Sequence, residues 1–138
     1  MPDSDLEKYV MKRPLPTYKE KIDEVEAALK QWAKRKYYRQ RGIKLAEVAS
    51  ELEIATTHIT YCVSARMKMN FAAWINSLRI EDAKQQMKKN PAMTSIEIAS
   101  KLGYSTVAVF RTNFVKFVGY SPEEYSEQFR TERPADIN

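Results

Sequence analysis

Val48-Ala49-Ser50-Glu51-Leu52-Glu53-Ile54 recurs fifty residues later as Ile98-Ala99-Ser100-Lys101-Leu102-Gly103-Tyr104. Each copy places a small residue (Ala49, Ala99) four positions before a break (Glu53, Gly103). An apolar pair four apart follows each, Ile59 with Val63 and Phe110 with Phe114. This is the spacing of two helices joined by a tight turn. Helices that cross steeply through such a turn come so close that only a small side chain fits at the crossing. Gly103 enters the positive-φ region freely, whereas Glu53 at the equivalent place has to tolerate strain or turn differently. The apolar pairs are offset by fifty-one residues rather than fifty, so the second turn is expected to hold one residue more.

Outward from the repeat, the chain reads as helical. It has three glycines and six prolines in 138 residues, the prolines mostly near the ends, which favours helices over a turn-rich sheet. Ile22, Val25, Leu29 and Trp32 make one apolar face on a helix from Thr17 to about Arg39, closed by Gly42. Leu45, Val48, Ala49 and Leu52 belong to a second helix, and Ile59, Cys62 and Val63 to a third. A longer helix from about Asn70 to Lys89 carries Phe71, Trp74, Ile75, Leu78, Ala83 and Met87 on more than one face, as a connector packed on each side would. Asn90-Pro91 stops it.

Thr94-Ser95-Ile96-Glu97 is a capping-box signature for a helix that Gly103 ends. Ser105 or Thr106 caps the next, with Phe110, Phe114 and Phe117, and Ser121-Pro122-Glu123-Glu124 starts the last, with Tyr125 and Phe129. The expected fold is all-α, with about seven helices forming two helix-turn-helix subdomains on a long connector helix. By chain order, residues 1–16 are a linker or tail, 17–69 the first subdomain, 70–90 the connector, 91–130 the second subdomain and 131–138 a tail.

Charge narrows the function. Residues 27–118 hold sixteen Lys/Arg against six Asp/Glu, and both ends are acidic. Within the middle, 27–46 carries Lys30, Lys34, Arg35, Lys36, Arg39, Arg41 and Lys44 with no acid, interleaved with Trp32, Tyr37 and Tyr38. A polyanion is the natural partner of such a stretch, although a solvated helix face is a common alternative. The single cysteine, Cys62, excludes an internal disulfide, and one histidine with one cysteine does not build an ordinary zinc site, so an intracellular chain without metal or cofactor is expected. No apolar run approaches the ~18 residues of a membrane span, so no direct membrane contact is expected. There is no nucleophile with a base and no phosphate loop, which argues against an enzyme.

In a helix-turn-helix unit the second helix enters the major groove, with exposed side chains near its N-terminus reaching base edges. If Ile59, Cys62 and Val63 face inward, the outward set is Thr56, Thr57, Thr60, Tyr61 and Ser64. If Phe110 and Phe114 face inward, the second set is Thr106, Val107, Ala108, Arg111, Thr112 and Val115. Hydroxyls suit bases or phosphates, Val107 and Ala108 suit thymine methyls, and Arg111 suits a guanine or a phosphate. His58 could reach a phosphate or simply pack. Cys62 reads as an inert core thiol, and Trp32 and Trp74 as core residues. Glu81 and Asp82 are expected in solvent, while Arg79 is expected to hold a carboxylate or cap a helix end.

From about Leu45 to Tyr125 the chain resembles the two-unit DNA-binding domain of the AraC/XylS regulators. The matching residues are Val48-Ala49, His58-Ile59, Phe71, Trp74-Ile75, Leu78-Arg79-Ile80-Glu81-Asp82-Ala83, Ile96, Ile98-Ala99, Leu102-Gly103-Tyr104, Phe110, Phe114 and Gly119-Tyr120-Ser121-Pro122-Glu123-Glu124-Tyr125. The resemblance implies a monomeric domain whose two recognition helices enter successive major grooves. It maps base contacts onto Thr57, Thr60 and Tyr61, and onto Val107, Ala108 and Thr112. The chain departs from the family pattern at Lys68, where glycine is usual, at Ala55, where serine caps, and at Thr112 and Val115, where basic residues are frequent. The family joins this domain to a sensing or dimerising region. A C-terminal fragment of a larger cytoplasmic regulator, an activator that could be dimeric or membrane-anchored through that region, is therefore expected. Double-stranded DNA and RNA polymerase are the expected partners. The competing reading is a helical protein-interaction module, in which the basic aromatic helix docks an acidic partner.

Overall fold

The computed structural model describes residues 14–131, with side chains from Tyr18 to Arg130. Of the tails read at 1–16 and 131–138, residues 1–13 and 132–138 lie outside them. Seven α-helices and no strand are present among the described residues. They are α1 (Pro14–Lys34), α2 (Leu45–Leu52), α3 (Thr56–Cys62), α4 (Phe71–Lys89), α5 (Ser95–Lys101), α6 (Val107–Val118) and α7 (Pro122–Thr131). A π-turn, Val63–Met67, prolongs α3. The helices form two compact units, one from residues up to 35 with 44–74, the other from 36–43 with 75 onward.

The first unit buries Val25, Leu29 and Trp32 of α1 with Val48, Ala49, Ile59, Cys62, Val63 and Trp74. Within it α1 packs most extensively against α3, and the Trp32 ring stacks on Trp74 at 5.9 Å. α1 is shorter at its C-terminal end and longer at its N-terminal end than its periodicity suggests. It takes in Pro14-Leu15-Pro16, because proline is tolerated in the first turn where no intrahelical N–H bond is lost. It ends at Lys34 rather than near Arg39: Lys36 adopts φ 64°, and a single 3₁₀ turn, Tyr37–Arg39, follows.

The second unit has a core of Ile80, Ala83, Met87, Ile98, Ala99, Leu102, Tyr104, Phe110, Phe114 and Tyr125. Its helix starts are chemically specified. Thr94 and Glu97 form a reciprocal capping box on α5, Thr106 Oγ1 accepts from the Val109 amide on α6 at 3.2 Å, and Ser121 and Glu124 exchange hydrogen bonds at 3.0 and 2.9 Å on α7.

Residues 36–43, which chain order assigns to the first unit, belong to the second. Asp82 draws them in. It is buried rather than solvated, and accepts from Tyr38 Oη (2.7 Å), Arg39 Nε (2.7 Å), Arg39 Nη2 (2.9 Å) and Gln86 Nε2 (3.1 Å). Burial alone would raise its pKa. The hydrogen bonds from Arg39, Tyr38 and Gln86 outweigh that and hold the carboxyl below the usual aspartate range. Arg79 caps the end of the 3₁₀ turn, donating to the carbonyls of Tyr38 (2.8 Å) and Gln40 (2.7 Å) with its guanidinium 5.0 Å over the Tyr104 ring. Burial lowers the Arg79 pKa from its ordinary value and pushes the Tyr104 phenol up to about 12.

Candidate nucleic-acid interface

The two sequence copies fold alike. The Ala49 carbonyl accepts from the Ile54 amide and the Ala99 carbonyl from the Tyr104 amide, both at 3.0 Å. A left-handed residue sits between each pair, Glu53 at φ 56° and Gly103 at φ 92°. This six-to-one closure satisfies helix-end carbonyls while turning the chain sharply. Ala49 and Ala99 are both buried, as the crossing requires. The second turn is one residue longer, since the N-cap of α3 is Ala55 and that of α6 is Thr106. Lys68, after the π-turn, stands at φ 62°, where a glycine would sit without strain.

On α3, burial of Ile59, Cys62 and Val63 leaves Thr56, Thr57, Thr60 and Ser64 exposed along one stripe. Tyr61 is half-buried, its ring 5.2 Å from that of Tyr18 on α1. The Tyr18 ring also meets His58 edge-on at 4.7 Å. His58 is thus a packed residue, and its buried Nε2 has no hydrogen-bond partner among the described residues. Ala55 supplies no side-chain cap. Burial raises the Cys62 thiol pKa, and its Sγ lies 3.8 Å from the Ile22 carbonyl.

On α6, burial of Phe110 and Phe114 exposes Thr106, Ala108, Arg111 and Thr112. Val107 is not fully outward: it is half-buried against the second core, being one turn from Phe110 and two from Phe114 on the same side. Val109, which the inward pair did not suggest, is 43% exposed, and Val115 and Phe117 are also exposed. The signal for Val109 was its place between Ser105 and Thr112 at four- and three-residue steps. Thr106 uses its hydroxyl oxygen as the helix cap. Arg111 is not unpaired, since Glu123 accepts from it.

The basic stretch divides. Arg39 is committed to Asp82, and Lys30 pairs with Glu26 at 3.1 Å. Tyr38 and Trp32 are buried, while Lys34, Arg35, Lys36, Arg41 and Lys44 are exposed.

A family model described as a helix-turn-helix domain matches residues 48–128. An HTH-type transcriptional regulator of Mycobacterium tuberculosis is 26% identical over 86 residues, which is 62% of this chain and 33% of that protein. The chain thus spans about a third of the length of that relative. Among solved structures, the C-terminal domain of AraT, a response regulator from Geobacillus stearothermophilus, superposes with a TM-score of 0.67 at 24% identity, covering 83% of this chain and 89% of that one. The DNA-binding domain of AdpA, a global transcriptional factor in complex with a target DNA, gives 0.66 at 15% identity, covering 80% and 96%. The match takes in both copies of the turn and both exposed second helices, and its family is one of DNA-binding regulators rather than enzymes. The chain belongs to the AraC-type helix-turn-helix family, the DNA-binding domain of transcription regulators.

Proposed function

We propose that the two units are unequal partners on duplex DNA, the first reading sequence and the second chiefly anchoring. The observation that carries this is the contrast between the two exposed stripes. Thr56, Thr57 and Thr60 on α3 and Ser64 on the π-turn present four hydroxyls, whereas on α6 the methyl groups of Ala108, Val109 and Val115 are exposed, the Thr106 hydroxyl oxygen serves as the cap, and Thr112 and the paired Arg111 are the exposed polar side chains among them. Hydroxyls donate and accept, so they can distinguish base edges in the major groove. Methyl groups there can discriminate little beyond thymine. Tyr61 joins the reading set from a position buttressed by Tyr18. Thr106, Val107 and Thr112 line the start of α6, and Arg111 supplies its cationic contact.

The chain acts as the DNA-reading end of a longer regulator, a proposal supported by its covering a third of the relative's length. In that setting the domain is monomeric, dimerisation belongs to another region, and RNA polymerase is the protein partner through which an activator works in the cytoplasm or from a membrane anchor. Among the described residues no helix is long and apolar enough to cross a membrane.

Selection of binding sites from random duplexes by the chain tests the reading. The selected motif should carry its strongest base preference over one half, and that half should lose its preference when Thr57 and Thr60 are replaced by alanine. Equal information in both halves, both unaffected, would overturn it.

A further inference from the structure

Arg111 donates Nε (3.1 Å) and Nη2 (2.9 Å) to one carboxylate oxygen, Oε2 of Glu123. Ser95 Oγ donates to that same oxygen. Glu123 lies in the first turn of α7 and Ser95 opens α5, so the carboxylate is fixed from two helix starts. Burial would raise its pKa, but the hydrogen bonds from Ser95 and Arg111 hold it below the usual glutamate range.

A guanidinium offers two edges that can engage an oxyanion, Nε with Nη2 from the side and Nη1 with Nη2 from the end. Glu123 occupies the side edge, and Nη1 has no acceptor among the described residues. The side chain stays 47% exposed. Arg66, on the π-turn beyond α3, is the contrasting case. It donates Nη1 to Glu26 and Nη2 to Asp23, so its end edge is closed by protein. Both arginines are thus paired, but of the two Arg111 keeps its end edge clear of protein acceptors among the described residues.

Resting on the DNA reading above, we propose that Glu123 is a positioning residue for DNA binding: it grips Arg111 by the side edge so that the end edge meets a backbone phosphate. Arginine has several free torsions, and a side chain already held in one rotamer loses little freedom on binding. The opposing repulsion between Glu123 and a phosphate acts through solvent and is screened. A phosphate, rather than a base, is the ligand the surroundings favour. One turn away on α6 the exposed neighbours of Arg111 are apolar, Ala108 and Val115, so nothing in that row addresses a base; a guanine contact through the same edge would weaken the selected duplex alone.

The test is equilibrium binding of the full chain to its selected duplex and to an unrelated duplex, across a salt series. Arg111→Ala should weaken both duplexes by the same factor, about tenfold, and reduce the slope of log K against log salt by about 0.9, one phosphate contact. Glu123→Ala should weaken both duplexes several-fold, Glu123→Gln should stay within about twofold because it keeps an acceptor, and Glu123→Ala should add nothing in the Arg111→Ala background. Glu123→Ala that tightens binding, or leaves affinity and slope unchanged, overturns the proposal. Should Glu123→Ala lose helicity, Arg111→Lys decides: it keeps the charge but has no side edge, so weakened binding supports the proposal and wild-type binding overturns it. Absence of binding to any duplex at low salt would instead overturn the DNA reading itself.

Discussion

Arg39 and Asp82, forty-three residues apart, form a two-point ion pair in which Nε and Nη2 meet the two carboxylate oxygens at 2.7 and 2.9 Å. The Asp82 side chain is 4% exposed and that of Arg39 24%, so water does little of the solvation. Removing one member leaves the other charge buried without its counter-charge. Asp82→Ala is expected to lower stability by about 3–5 kcal/mol, read as a shift in the urea midpoint. Charge reversal at Arg39 should act in the same way, as a folding defect, whereas Arg35→Glu on the exposed surface should leave the midpoint nearly unchanged.

The same pair predicts a pH dependence. The Asp82 carboxyl is held below its ordinary value in the folded protein. Its contribution is therefore fully present above the unfolded pKa, about 3.9, and is lost as pH falls through the lower folded value. Stability measured by urea unfolding should decline from about pH 4 downward. Asp82→Asn should flatten that part of the curve.

Two glycines with positive φ separate conformational strain from crowding. A Cβ on Gly103 would meet the Arg39 carbonyl and lie 2.8 Å from the Gln40 carbonyl oxygen, while one on Gly119 would find nothing within 4 Å. Gly119→Ala is expected to cost about 1–2 kcal/mol for the left-handed backbone. Gly103→Ala should exceed it clearly, because backbone rather than a movable side chain stands in the way. Equal thermal shifts for the two would refute the crowding argument.

Glu53 sits at φ 56° and ψ 43°, in the place that Gly103 holds in the other copy. Glu53→Gly should relieve this strain and stabilise the first unit by up to about 1 kcal/mol. The gain should appear in the unfolding midpoint without altering the preferred DNA site.

Thr60→Ala and Tyr61→Ala should reorder the preferred sequences more than they change overall affinity, with losses of about 1 kcal/mol at the best site and less at unrelated ones. Tyr18→Ala should reproduce the Tyr61→Ala pattern weakly, since it removes the ring that supports Tyr61. A uniform loss across all sequences would make these residues backbone contacts.

Much of the fold was legible because repeating units are written in residues whose sizes are constrained. Ala49 and Ala99 fill crossings that admit little else, and Thr94 with Glu97 and Ser121 with Glu124 are local devices whose partners lie three residues away. What escaped depends on long-range pairing. Nothing adjacent to Asp82 announces that Tyr38 and Arg39 will reach it, so a charged pair of neighbours read as solvated and the basic stretch read as uniform. The site divides in the same way. Helical phase gave the exposed threonines of α3, and counted back from Phe110 it also puts Val107 toward the core, but the half-burial of Tyr61 and the capture of Arg111 by Glu123 follow from helices that only packing brings near.

Residues 36–43 fold with the C-terminal unit, although the chain on either side of them belongs to the N-terminal one. A polypeptide laid out in this way has no single peptide bond whose cleavage returns two whole halves. A fragment beginning at α4 would carry Asp82 and Arg79 without Tyr38, Arg39 or Gln40 to receive them, and a fragment ending at Trp74 would carry an eight-residue detour with nothing to fold upon. Recombination at one joint between relatives would graft a foreign loop onto a resident carboxylate. On the DNA reading proposed above, chimeras meant to exchange specificity are better built by transplanting the outward letters of α3 and α6 alone, leaving the stitching of the chain as inherited.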